Sequence, residues 1–232
     1  MRALAILLLV VALGCETARM DRVGAAPPPT EEKAVSLFPS DAAILPDDAI
    51  NKILDAKVRL PQHLRLALIH IEHRSAGRFW GWGPYWTAIG PSAQQEVAAA
   101  VIGVLRTSPR IENADNLPTF LLPEKATVGH LREAAARFQA DAVFVYRTDC
   151  QGYERTRFFQ ADQAKAFCSA EAALLDVRSG LVPFTTRSLD DFTVTQEPGD
   201  ASFLETVRKA ELKAFVAALE DDAKALVRYL GK

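Results

Sequence analysis

Apolar residues along this chain form an alternating series of helical and extended patterns, which limits the folds that the chain can adopt. The last segment, from Ser202 to about Leu230, has apolar side chains three and four residues apart, as in a helix with one buried face. The stretch "ADAVFVYRTDC" is rich in valine and aromatic residues, which favours a strand. The predicted order is α-β-α-β-α-β-β-β-α, so we predict an α/β fold, a mixed sheet packed with helices.

The predicted elements are bounded by recognisable start and turn signals. Ser92 with Gln95, and Ser202 with Glu205, fit the capping-box pattern at the start of a helix. Gly180 suits the tight turn between the last two strands. The predicted helices lie at 46–57, from 92, at 128–139 and at 202–230, and the predicted strands at 64–72, 119–123, 140–150, 167–177 and 181–195.

The amino terminus has the layout of a bacterial export signal. Arg2 precedes an apolar run of eleven residues, which is too short to span a bilayer. We predict a signal peptide at 1–14, and the stretch "ALGC" resembles the lipobox, in which Cys15 is acylated and anchors the protein to the membrane. An ordinary signal peptide cut elsewhere is the alternative. Glu16 after the cysteine favours the outer membrane, with the protein facing the periplasm.

Composition divides the exported chain into a tether and one domain. Residues 15–36 are small and polar with three successive prolines, which predicts a flexible or semi-rigid tether, and 37–232 is long enough for a single α/β domain. The formal net charge is −2, and it becomes −3 once Arg2 leaves with the signal. This charge gives no reason to expect nucleic acid as a partner.

Two cysteines remain after Cys15 is assigned to lipid. In an oxidising compartment we predict a disulfide between Cys150 and Cys168, and two buried thiols are the alternative. The segment 151–167 between them mixes basic and aromatic residues. We interpret it as a long hairpin with one face on the domain, in preference to a ligand site.

The stretch "RFWGWGPYW" at 78–86 contains every tryptophan of the chain. It lies between a predicted strand and a predicted helix, where functional loops of such folds concentrate. One interpretation is an exposed aromatic platform for a partner; the other is a buried loop that covers the sheet or the first helix. For the first interpretation we name as partner-binding residues Trp80, Trp82, Tyr85 and Trp86.

The sequence predicts no catalytic residue, no metal site and no cofactor. His70 and His73 would point to opposite faces of a strand, so we interpret them as structural. Nucleotide-binding, zinc-protease and nucleophile-elbow motifs do not occur. A Ser-His-Asp arrangement built from distant residues stays open.

Two motifs carry a family resemblance over about residues 60–230. The stretches "FQADAVFVYRTDC" and "AALLDVRSGLVPFTTRS" resemble the α/β domain shared by the TolB amino-terminal region, the curli secretion lipoprotein and the lipoprotein activators of penicillin-binding proteins. The resemblance implies that the domain acts by binding other envelope proteins. The matching residues are Ala140, Asp141, Ala142, Asp176, Arg178 and Gly180.

We therefore predict a non-enzymatic, lipid-anchored envelope protein that binds a partner protein and supports secretion or cell-wall assembly. The alternative is a glycan or small-molecule binder, or a hydrolase without a recognised motif, with a pocket near the aromatic loop at 78–90.

Overall fold

The fold is that of a computed structural model, which describes residues 46–71, 91–122, 127–155 and 160–231. Its helices and strands follow the predicted order, with one short 3₁₀ helix added after the second strand. The elements are α1 (Asp47–Asp55), β1 (Leu64–His70), α2 (Pro91–Leu105), β2 (Ile111–Asn116), the 3₁₀ helix (Thr119–Leu121), α3 (Val128–Arg137), β3 (Ala142–Arg155), β4 (Gln163–Asp176), β5 (Phe184–Thr195) and α4 (Phe203–Leu230).

The five described strands form one mixed sheet in the order β2-β1-β3-β4-β5. β1 runs parallel to β2 and to β3, whereas β3, β4 and β5 pair in antiparallel fashion. Parallel neighbours require crossover connections, and α2 and α3 lie in the connections that lead to β2 and β3. The α/β prediction is therefore confirmed.

Helices α2 and α4 cover one face of the sheet. Side chains from alternate positions of β1, β3 and β4 point toward them, among them Leu68, Phe144 and Cys168. β4 contributes mainly alanines to this face, and α4 packs alanines of its own against them. Because these side chains are small, helix and sheet approach closely. The buried alanines are Ala164, Ala166, Ala170 and Ala172 on β4, and Ala210, Ala214, Ala218 and Ala223 on α4.

The opposite face is covered over β1 and β3 by α3. Leu131 and Ala135 of this helix pack on Ile69, Val143 and Val145. No described helix covers the part of this face formed by the outer lengths of β3, β4 and β5, a surface that we call the open face. Within the described residues, α2 and α4 therefore cover one side of the sheet, and α3 covers only part of the other side.

The second strand is not where the sequence predicted it. The segment 119–123 begins with the 3₁₀ helix, in which the Phe120 side chain is 83% exposed, and β2 is formed instead by Ile111–Asn116. β2 is an edge strand that buries only Ile111 and Ala114, so its polar sequence "IENADN" lacks an apolar pattern. Its pairing with the buried strand β1, rather than its own composition, makes it a strand.

The capping box predicted at Ser202 is also wrong, although α4 does begin after this residue. The Ser202 side chain makes no capping hydrogen bond, and Glu205 Oε2 accepts from the backbone N–H of Ala201 instead. Asp200 secures the start of the helix, because its carboxylate accepts from Thr206 Oγ1 at 2.7 Å and contacts Lys209 Nζ. These hydrogen bonds lower the pKa of Asp200 to about 2.

Candidate functional site

Several predicted site residues lie outside the described residues. These are Cys15 with the signal peptide and tether, the His73 side chain, and the aromatic residues Trp80, Trp82, Tyr85 and Trp86. Their predictions stay predictions. Among the helices that the structure describes, none is long and apolar enough to cross a bilayer.

A cavity of about 460 Å³ opens at the carboxyl ends of β1 and β2. β1 connects to β2 on one side, and the next strand, β3, lies on the other side of β1, so this is the point where the direction of strand order reverses. Ligands of open α/β sheets commonly bind at such a point. The cavity has an apolar part formed by Leu68, Val97, Leu117 and Phe215, and a polar part formed by His70, Gln94, Asn116 and Tyr146.

The titratable side chains among the described lining residues are held in an aromatic stack. The His70 ring stacks on Tyr146 with centroids 5.2 Å apart, and it lies 5.9 Å from the Phe215 ring. His70 and Tyr146 are paired residues of the parallel strands β1 and β3. Burial raises the pKa of Tyr146 to about 12, so this phenol stays protonated at neutral pH.

This stack can hold a ligand. A neutral phenol and two amide side chains supply hydrogen bonds, and the apolar part supplies contact area. Within the described ranges, no group of three or more histidine, cysteine or acidic side chains could bind a metal ion.

The predicted disulfide is present: Cys150 and Cys168 are directly paired residues of β3 and β4, and a disulfide joins them. The strands continue past these residues to Arg155 and from Gln163, which corrects the expectation that they end at the cysteines. They continue because Ala164 and Ala166 still pack beneath α4. The interpretation of 151–167 as a long hairpin with one face on the domain is confirmed for its described residues.

Aromatic and apolar side chains are exposed on the open face of this hairpin. Tyr153 is 54% exposed and makes an edge contact with Phe167, with ring centroids 5.7 Å apart. Lys165 Nζ lies 4.6 Å from the centre of the Phe167 ring. Leu189 on β5 is 73% exposed. The open face therefore combines apolar contact area with charged side chains, a composition suited to contact with another protein.

The residues that carry the family resemblance have structural roles. Asp141 binds the Arg65 guanidinium through both carboxylate oxygens. Asp176 Oδ2 accepts from the Ser179 backbone N–H at 2.8 Å, which closes the turn after β4. Gly180 has a φ of +76°, and a side chain beginning there would lie only 3.2 Å from the Arg132 side chain. These matching residues thus form a turn and an ion pair, and none of the six named residues lines the cavity.

Two acidic side chains of α4, the half-buried Glu211 and the buried Asp222, were not singled out by the sequence. Glu211 lies over Gly152 of β3, and burial raises its pKa to about 7. Asp222 is fully buried and accepts hydrogen bonds from Ser188 and Thr186 of β5. The signal for Asp222 was present, because it falls on the buried stripe between Leu219 and Leu226.

No family model matches the chain, and no curated protein matches it. Among solved structures, it resembles the PelC dodecamer from Paraburkholderia phytofirmans, with a TM-score of 0.39 and 12% identity over 72% of this chain and 89% of that one. It also resembles a putative lipoprotein from Caulobacter crescentus, with a TM-score of 0.39 and 10% identity over 72% of this chain and 90% of that one.

A minor lipoprotein from Acinetobacter baumannii has a TM-score of 0.34 and 9% identity, over 74% of this chain and 92% of that one. Two of these three solved structures are thus those of bacterial lipoproteins. The function of the chain is inferred from its own residues.

Proposed function

We propose that this protein is a non-enzymatic lipoprotein of the bacterial envelope that binds a partner protein. Acyl chains on Cys15 would hold it in the outer membrane with the domain in the periplasm, joined by the tether at 15–36. Its role would be an accessory or structural one in secretion or cell-wall assembly.

The observation that carries this proposal is the open face of the sheet. Tyr153, Phe167 and Leu189 present apolar area there, beside Lys165 and Arg187. Tyrosine and other aromatic side chains contribute much of the binding energy at protein interfaces, and charged neighbours select the partner. An exported protein that leaves such a face uncovered by its own described helices has a surface available to another protein.

The aromatic stretch 78–86 gives further support from the sequence. β1 ends at His70 and α2 begins at Pro91, so the connection that contains the tryptophans starts and ends next to the cavity. Trp80, Trp82, Tyr85 and Trp86 are therefore proposed as a second group of contact residues. The two groups are tested separately.

Photo-crosslinking in intact cells tests the proposal. A crosslinking residue replaces Trp82 in one variant and Tyr153 in another, and a third variant carries it at the exposed residue Arg228 of α4 as a control. We expect a discrete adduct that contains a second protein from Trp82 or Tyr153, identified by mass spectrometry, and no such adduct from Arg228. If both variants are folded and membrane-attached and neither gives an adduct with another protein, the proposal is wrong.

The cavity favours a second candidate function, the binding of a small molecule or glycan fragment. Its volume of about 460 Å³ and its mixture of aromatic, amide and apolar lining suit such a ligand. The test compares the unfolding temperature of the wild type with that of Gln94→Trp, which fills the cavity from α2, across a panel of cell-wall glycan fragments. A ligand that stabilises the wild type and leaves the variant unchanged supports this candidate, and a panel without such a ligand counts against it.

A further inference from the structure

The outer edge of β5 is long and regular. β5 has twelve residues, and within the described residues it pairs only with β4. The β4–β5 register runs from Gln163–Thr195 to Leu174–Phe184 without a bulge. The strand contains no lysine and no proline, two of the residues that commonly protect an edge from pairing with another strand.

The backbone groups that β5 presents outward can be assigned. Gln196 N–H donates to the Asp162 carbonyl at 2.8 Å, and these two residues continue the β4–β5 register by one pair. Because hydrogen-bonded pairs alternate in an antiparallel ladder, the even-numbered residues of β5 bond with β4. The odd-numbered residues, from Thr185 to Thr193, therefore direct their N–H and C=O groups away from the sheet.

The side chains of the same odd-numbered residues lie on the open face, and their charges are arranged symmetrically. Arg187 is two residues before Leu189, and Asp191 is two residues after it. Arg187 Nε lies 3.6 Å from Glu171 on β4, and Asp191 Oδ2 lies 2.9 Å from Lys165 Nζ. A second β5, placed antiparallel with Leu189 opposite Leu189, brings each Arg187 opposite an Asp191.

We propose that two copies of this chain associate through β5, as an antiparallel two-fold dimer centred on Leu189. Two five-stranded sheets then become one continuous sheet, and each edge protects the other. Every outward-facing backbone group from Thr185 to Thr193 then pairs with the second copy. This inference rests on the edge of β5, and it shares Leu189 and Arg187 with the open face that carries the proposed function.

Apolar contacts follow the same register. Leu189, the most exposed apolar side chain on β5, meets its own copy across the two-fold axis. On the helix side, Phe192, which is 39% exposed, lies opposite Thr186 of the second copy. Asp190 Oδ1 accepts the Asp191 N–H at 2.8 Å in the single chain, and pairing exchanges this bond for one to the carbonyl of Arg187 of the second copy.

The register is tested with charge reversals in the full-length protein. Two copies with different carboxyl-terminal tags are co-expressed, extracted in detergent and purified through one tag, and the recovery of the other tag is measured. For the wild type, we expect purification of one tagged copy to recover the other tagged copy. Arg187→Asp places aspartate opposite aspartate, and Asp191→Arg places arginine opposite arginine, so each variant recovers itself roughly tenfold less well.

The two variants together provide the decisive combination. When one copy carries Arg187→Asp and the other carries Asp191→Arg, both cross-strand pairs are attractive again, so recovery returns to the wild-type level. The control is Arg137→Asp on α3, which reverses an equally exposed charge away from β5 and recovers itself as the wild type does. Absence of wild-type recovery, or unchanged recovery of Arg187→Asp with itself, overturns the proposal.

A cysteine variant gives a second test that does not depend on charge. Opposite residues of a hydrogen-bonded antiparallel pair have Cα atoms about 5.5 Å apart, which a disulfide can bridge. Leu189→Cys is therefore expected to give a disulfide-linked dimer in the envelope. Thr185→Cys, which would lie opposite Thr193 of the second copy, is expected to give none. A Leu189→Cys protein that stays monomeric on a non-reducing gel contradicts the proposed register.

Discussion

The carboxylate of Asp141 holds the side chain and the backbone of Arg65 at the same time. Arg65 Nε lies 3.0 Å from Oδ2 and Nη2 lies 3.1 Å from Oδ1, while the Arg65 backbone N–H donates to Oδ2 at 3.2 Å. The carboxylate is almost fully buried. The pair joins the first residues of β1 to the residue before β3, so it fixes the two central parallel strands relative to each other.

Asp141→Asn is expected to lower the free energy of unfolding at pH 7 by about 1–2 kcal/mol, because the charge-assisted hydrogen bonds weaken. The hydrogen bond from Arg65 lowers the pKa of Asp141 in the folded state. A lowered folded pKa gives stability above the unfolded pKa that is lost as the pH falls through the folded value. The difference between wild type and variant should therefore shrink below about pH 4.

Urea unfolding at several pH values measures this effect. Glu133→Gln is the matched control, because Glu133 pairs with Arg137 on the exposed side of α3. We expect this control to change stability by less than about 0.5 kcal/mol. An equal loss in both variants at pH 7 would show that the Asp141 contacts contribute no more than an ordinary surface ion pair.

Sequence patterns predicted the order of the elements well where each element has its own apolar signal. The helix α4 and the strand β1 can be recognised from their apolar patterns, because their side chains face the core at regular spacing. The predicted disulfide between Cys150 and Cys168 agrees with the observed register of β3 and β4, in which these residues are directly paired. β2 was missed because an edge strand beside a buried one needs few apolar residues of its own.

The candidate site was less predictable because it depends on which strands become neighbours. His70 was noticed, but its contact with Tyr146 depends on β1 and β3 being adjacent and parallel, although they are far apart in sequence. Asn116 lines the cavity from a strand that the sequence did not predict. The order of strands within the sheet depends on long-range packing, so it cannot be predicted from local sequence patterns.

Removal of the disulfide should cost about 3 kcal/mol in the free energy of unfolding. The bond closes a loop with a sequence separation of 18, and a cross-link of this length restricts the unfolded chain by about that amount. The variant is Cys150→Ala with Cys168→Ala, compared with the wild type by urea unfolding. Wild-type protein treated with a reductant should approach the stability of the variant. Thiol titration of the reduced protein should then detect the two thiols of Cys150 and Cys168.

The contact between Asp222 and Ser188 is expected to be energetically coupled. Ser188 Oγ donates to Asp222 Oδ1 at 2.6 Å between α4 and β5, and both groups lie in the packed interface. Asp222→Ala and Ser188→Ala should each cost about 1–2 kcal/mol, because each leaves the other group without this hydrogen bond. The double variant should cost about 1 kcal/mol less than the sum of the two.

The control for this cycle pairs Ser188→Ala with Asp221→Ala. Asp221 is the neighbouring residue of α4 and is ion-paired to Lys224 at the surface, so its effect should add to that of Ser188→Ala. Unfolding free energies from urea titrations of the six proteins provide the comparison. Strict additivity of Asp222→Ala with Ser188→Ala would contradict the coupling.

Glu211 should make the protein less stable as the pH rises through neutrality. Burial raises the pKa of this carboxyl from its ordinary value of 4.5 to about 7, and the charge of Arg208 opposes the shift. A folded pKa above the unfolded pKa gives stability that is fully present below the unfolded value and is lost as the pH rises through the folded value. The loss is therefore expected between about pH 5 and pH 8.

Glu211→Gln keeps the shape of the side chain and removes its titration. The variant should match the wild type near pH 5 and be more stable near pH 8, by roughly 1–2 kcal/mol once partial exposure of the carboxyl is allowed for. Urea unfolding at both pH values measures the difference, and Glu220→Gln on the same helix is the control, since Glu220 lies at the surface near Lys224. Asp222 also has a pKa raised by burial, but it is present in all three proteins, so its contribution cancels in the comparison. A Glu211→Gln protein whose advantage over the wild type is the same at pH 5 and pH 8 would show that Glu211 is ionised at both.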